Sequence, residues 1–99
     1  MDSTVKNWLR NEGVAEQPGI ELYLFGSLLT SESPEDVDLV VVYDSSIIDI
    51  DKAIAIRRHL RNAIMKFARM PADIVLLSVH EAEQTQFLNR IAAVHLDHA

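Results

Sequence analysis

Cysteine is absent from the 99 residues. That excludes disulfide scaffolds, thiolate zinc sites and cysteine nucleophiles. Glycine and proline are scarce, three of each, and they stand at turns, so no linker or low-complexity tract divides the chain. Long apolar runs are missing too. The longest, Leu39 to Tyr43, is far short of the ~20 residues a membrane span needs. No apolar stretch follows the opening Met-Asp-Ser-Thr-Val-Lys-Asn-Trp, so a signal peptide is not expected and a cytoplasmic location is. Basic residues are outnumbered, 9 against 15 acidic, for a net charge of −6. A globally acidic chain is a poor general nucleic-acid binder. No Ser-His-Asp or phosphate-loop spacing is present.

What remains is a chain that is 48% hydrophobic, enough for a core and against disorder. Its length allows one domain, residues 1–99. The charge is unevenly spread. Lys52, Arg57, Arg58, Arg61, Lys66 and Arg69 fall in a stretch without an acid, which leaves 3 basic residues to offset all 15 acids elsewhere. Such a segment is a solvated helix face, or a surface that draws phosphates or an acidic partner.

The hydrophobic pattern alternates between helix and strand periods. Ser3 or Thr4 can cap a first helix to about Asn11, with Trp8 and Leu9 among its apolar positions and Gly13 after it. Pro18 and Gly19 mark a turn. Ile20 to Phe25 reads as a buried strand ended by Gly26. Ser27 to Ser31 can form one helical turn, and Ser33, Pro34 and Glu35 a loop. Asp36 to Tyr43 reads as a second strand, rich in valine. Asp49 or Asp51 then caps a helix whose stripe is Ala53, Ile56, Leu60, Ile64 and Phe67, ended by Pro71. Ala72 to Ser78 reads as a third strand. Glu81 to His95 reads as a last helix, with Phe87, Leu88, Ile91 and Val94 on one side. The expected class is α/β (α+β), a small mixed sheet flanked by helices.

Three acids stand out. Asp36 and Asp38 flank Val37, and residues two apart on a strand share a face. Two carboxylates so placed repel unless a proton or a cation intervenes. Asp73 opens the third strand, so all three acids converge if the two strands are neighbours. Oxygen-only ligands suit Mg²⁺ or Mn²⁺. The bland alternative is a turn acid and two strand-end residues facing water. Gly26 and Ser27 follow a buried strand. Their backbone N–H groups can face an anion, and the serine hydroxyl adds a donor. The bland alternative there is an ordinary cap.

Together, residues 22–44 resemble the signature of the DNA polymerase β-type nucleotidyltransferase superfamily: a Gly-Ser turn, an Asp-x-Asp strand, and a later acid within an apolar strand. The positions are Gly26, Ser27, Asp36, Asp38 and Asp73. The short length resembles the minimal nucleotidyltransferase branch. The resemblance implies a polymerase β-like fold and transfer of a nucleotidyl group, AMP in the first instance, from a nucleoside triphosphate such as ATP to a hydroxyl acceptor. It implies that Asp36 and Asp38 bridge two Mg²⁺ ions, that Asp73 completes the site and helps deprotonate the acceptor, and that Gly26 and Ser27 hold the β- and γ-phosphates. It also implies a partner, an all-helical HEPN-type protein. The alternative reading is a non-catalytic binding protein, such as the antitoxin half of such a toxin–antitoxin pair. Self-association, a homodimer first, is the other expectation.

The chain departs from that pattern at Leu28 to Ser31, where many small members carry an arginine. The loss of one charge-assisted phosphate contact is worth about 1.5–3 kcal/mol. Lys52 or an arginine of the basic segment can compensate. His59, His80, His95 and His98 show no ligand spacing beyond His95-x-x-His98, which reads as a frayed polar tail. His80 follows the third strand, as a cap or near the acids. Trp8, Tyr23 and Tyr43 read as core or interface residues.

Overall fold

Gly19 shapes the turn that feeds the sheet. Its φ is +85°, and a β-carbon there would meet Ile47 Cγ2 at 3.0 Å, so the turn needs a residue without one. Its carbonyl accepts from the Asp44 N–H at 2.8 Å, which ties the start of one strand to the end of the next. The computed structural model describes Leu9, residues 17–25 and residues 36–96. Strand β1 runs Ile20–Phe25, β2 Val37–Tyr43, helix α1 Ile50–Ala68, β3 Ala72–Ser78, α2 Val79–Thr85, α3 Phe87–Arg90 and β4 Val94–His95. The expected helix from Ser3 to Asn11, the turn at Ser27 to Ser31 and the loop at Ser33 to Glu35 lie outside the described residues, Leu9 apart.

The four strands form one mixed sheet in the order β3-β2-β1-β4. β1 is antiparallel to both β2 and β4, and β2 is parallel to β3. A parallel pair needs a crossover, and α1 supplies it. Asp49 caps α1 by accepting from the Lys52 N–H at 2.8 Å. At the other end Arg69 takes a left-handed φ of 56° and donates to the Met65 carbonyl. Pro71 follows and prevents continuation.

Burial alternates along β1, whereas β2 from Leu39 to Tyr43 is buried on both faces, as a strand with neighbours on each side and helices over it requires. Leu22, Leu24, Val37, Leu39, Val41 and Ile74 form one core with Ala53, Ile56, Leu60 and Ile64 of α1. Leu9 joins it, fully buried. Phe67, expected on that stripe, is 43% exposed, and Ala68 packs there instead. The stripe continues at a spacing of four through Ile56, Leu60, Ile64 and Ala68, which leaves Phe67 to one side of it.

The last helix departs from expectation. The segment from 81 to 95 is not continuous helix. Ser78 and Glu81 form a reciprocal capping box, so the helix begins at Val79. Gln86 and Ala92 then adopt left-handed φ values of 54° and 52°. The first splits α2 from α3. After the second the chain turns back as β4, with His95 opposite Tyr23 and Val94 opposite Leu24. The Leu96 N–H donates to the Leu22 carbonyl at 2.8 Å, and Leu96 is buried in the core. Backbone pairing to an open edge strand and burial of Leu96 outweigh the local helix preference.

Candidate active site

The acid-bearing end of the sheet is set by the apolar residues between the acids. Val37 and Leu39 are fully buried against α1, so Asp38 must project from the opposite face. A register slip of one residue would turn Asp38 into the core and is forbidden by that alternation. Ile74 fixes β3 in the same way, leaving Asp73 exposed.

Asp38 and Asp73 are register partners on neighbouring parallel strands. Adjacent strands lie ~4.8 Å apart, so the two side chains leave one face of the sheet side by side. The starts of the two strands are clamped together: the Val37 N–H donates to the Pro71 carbonyl at 3.0 Å. Asp36 stands one residue before β2, half-buried. On the other side, Phe25 is the partner of Asp38. The last residue of β1 thus ends level with the acids. Gly26 and Ser27, which follow it, lie outside the described residues, as does the segment Leu28 to Ser31.

The donors at this end are oxygen-only carboxylates. That chemistry fits a hard divalent cation and not a soft one. Among the described residues, no group of three or more His, Cys, Asp or Glu side chains is arranged to hold a metal ion. The backbone brings Asp38 and Asp73 into line. It does not close a cage of three around a point. Carboxylates brought together repel one another unless a cation or a hydrogen-bond donor lies between them.

The other polar candidates fall elsewhere. His80 lies in the first turn of α2, beyond the far end of β3 from Asp73. The strand from 73 to 78 spans ~17 Å, so His80 does not approach the acids, and Ser78 does the capping. His95 is not in a frayed tail. It sits in β4 with its ring edge-on to Tyr23, centroids 5.0 Å apart. His98 and Trp8 lie outside the described residues. Tyr43 belongs to the core. Tyr23 lies on the face that carries Asp38. Its hydroxyl donates to Glu21 Oε2 at 2.8 Å. Partial burial, and then the adjoining carboxylate, push its pKa up to about 12.

One cavity was not anticipated from the sequence. It lies on the face that carries Asp38, toward the opposite end of β2, between β1, β2 and the α2–α3 pair. Glu21, Tyr23, Val42, Glu83, Leu88 and Asn89 are among its lining residues. Those residues come from four elements, and the bend at Gln86 that folds α3 over the sheet has no glycine to announce it.

No family model matches the sequence, and no curated protein matches it. Among solved structures, one described as "Crystal structure of putative nucleotidyltransferase" aligns over 98% of this chain and 100% of its own, with a TM-score of 0.54 and 18% identity. At that identity the likeness is one of fold. The mixed sheet with its flanking helices is therefore a nucleotidyltransferase-like fold, as the resemblance implied.

Proposed function

We propose that this chain is a nucleotidyltransferase of the minimal branch, transferring a nucleotidyl group, AMP first among the candidates, from a nucleoside triphosphate to a hydroxyl acceptor. The observation that supports it best is the Asp38–Asp73 register pair, with β1 ending opposite Asp38 at the residue before Gly26. Asp36, Asp38 and Asp73 are the residues that would hold divalent metal. Bound Mg²⁺ or Mn²⁺ would offset the charge of the triphosphate and of the carboxylates themselves.

In this reading the chain binds and orients. The N–H groups at Gly26 and Ser27 and the Ser27 hydroxyl take the β- and γ-phosphate oxygens. The acceptor oxygen forms a bond to the α-phosphorus, the bond from that phosphorus to its bridging oxygen breaks, and pyrophosphate leaves. Asp73 receives the hydroxyl proton. Its exposure suits contact with an acceptor arriving from solvent. Little covalent chemistry falls to the protein, so positioning and charge carry the rate.

Incubation with nucleoside triphosphates labelled on the α-phosphate, with Mg²⁺ and with or without candidate acceptors, tests this. Label should pass to an acceptor, and Asp38→Asn should reduce transfer by at least about a hundredfold. Failure to bind or transfer any nucleotide overturns the reading.

A second reading is a non-catalytic partner-binding protein, such as an antitoxin that covers a HEPN-type protein. Met65 and Phe67, 49% and 43% exposed, favour it, because they place apolar surface on α1 beside Lys66 and Arg69. Label transfer to such a protein supports the enzyme, and stable complex formation without transfer supports the binding protein.

A further inference from the structure

The cavity beneath α2 and α3 has a volume of ≈ 390 Å³, within the range of small-molecule sites. Its apolar surface comes from Val42, Val79, Ala82 and Leu88. Its polar groups can be accounted for one by one. The Tyr23 hydroxyl is engaged as a donor to Glu21. The Gln86 amide nitrogen donates to the Glu83 carbonyl at 2.8 Å, and the Asn89 amide nitrogen donates to Gln86 Oε1 at 3.0 Å. Among the described lining residues, the Tyr23 hydroxyl and one N–H of each amide are turned onto acceptors of the protein itself, which leaves one N–H on each amide. The Glu21 and Glu83 carboxylates and the Asn89 carbonyl oxygen remain as acceptors, and among the described residues that line the cavity there is no lysine or arginine. With two carboxylates as its charged groups, this surface favours a ligand that brings positive charge and N–H donors for them.

We infer that the cavity binds a small organic cation, an alkyl ammonium whose nitrogen lies between Glu21 and Glu83 and whose carbon chain lies on Val42, Ala82 and Leu88. An anion or a nucleotide phosphate is disfavoured by the same carboxylates. A plain polyol lacks the charge and gains little from the apolar floor. This inference stands independently of nucleotidyl transfer, since it uses neither Asp38 nor Asp73.

The probe is 1,4-diaminobutane, with 1,4-butanediol as its uncharged analogue, titrated into the full chain and followed by methyl NMR. Saturable shifts at Val42, Ala82 and Leu88 are expected with the diamine and not with the diol. Glu83→Gln should weaken the diamine about tenfold, the loss of one charge-assisted contact. Ala82→Phe fills the cavity without changing the net charge and should abolish binding. Should that variant fail to fold, Asn89→Lys, at an exposed position, sets a fixed ammonium in the cavity and should abolish binding equally. Absence of saturable binding overturns the inference, as does equal binding of the diol. Undiminished diamine binding in the variant that folds also overturns it, because the diamine is then held by diffuse attraction to an acidic chain.

Discussion

Asp73 occupies a place that costs the folded chain something. It stands level with Asp38 across a strand pair, and like charges opposed on a sheet destabilise it by some tenths of a kcal/mol. Asp73→Asn should therefore raise the melting temperature slightly in metal-free, low-salt buffer. Under the metal-binding reading the order should reverse in Mg²⁺, since a ligand that binds only the folded state stabilises the chain that holds it better. Thermal denaturation of both proteins with and without Mg²⁺ checks the pair of outcomes, and an unchanged order counts against a metal at this end. Glu81 offers a pH test at the same scale. Its carboxylate accepts from the Ser78 N–H at 2.9 Å, and this, with the Ser78 side chain, holds its pKa below the ordinary 4.5. A lowered folded-state pKa gives stability that is present above the unfolded value and lost as pH falls through the folded one. The melting-temperature gap between the wild type and Glu81→Ala should be full at neutral pH and close in acid below 4.5. Removing the other half of the box, Ser78→Ala, should cost about 1 kcal/mol at neutral pH, measured by urea denaturation.

At the scale of elements, Ala92 decides between two descriptions of the C-terminal segment. In a continuous helix, Ala92→Gly would cost about 1 kcal/mol. With the observed φ of 52°, an L-residue pays roughly 1–2 kcal/mol that glycine avoids. Ala92→Gly should therefore stabilise the chain, and the sign of the change in denaturant midpoint is the test. The same feature explains what could be read in advance. β1, β2, β3 and α1 were legible because the strands are short apolar, β-prone runs, the helix has one stripe at spacings of three and four, and Gly19, Asp49 and Pro71 punctuate them. The split of α2 from α3 and the existence of β4 were not. Their left-handed positions carry glutamine and alanine, and the two residues of β4 are too few to show a period. Asp-x-Asp was visible as a motif. The line-up of Asp38 with Asp73 followed from a strand–helix–strand order that implies a parallel pair. The cavity was invisible, because the bend at Gln86 that brings Leu88 and Asn89 over it falls on a residue that gives no turn signal.

On the scale of the whole molecule, charge is sorted along the chain and apolar surface is left at its margins. Ile47, Ile50, Met65, Phe67, Val79 and Val94 are all exposed large apolar residues. In a chain whose Cα radius of gyration is 12.7 Å, so many uncovered side chains favour association. A homodimer is the first expectation, and light scattering at increasing salt should give twice the monomer mass. A monomer at every concentration removes self-association and leaves a hetero-complex.

The two residues of β4 also act as a latch. They close one edge of β1 from about seventy residues away in sequence, and closing so long a loop has a conformational-entropy cost. Native-state hydrogen exchange should therefore find the Leu96 amide, bonded to Leu22, opening well before the amides of β2, which is paired on both sides. Each opening bares the backbone of Tyr23 and Leu24, an edge with no proline within it and Glu21 as the one charge of its strand. A chain shortened at Ala93 would hold that edge bare permanently and should aggregate through strand-to-strand growth, read as thioflavin fluorescence, where the intact chain stays in solution.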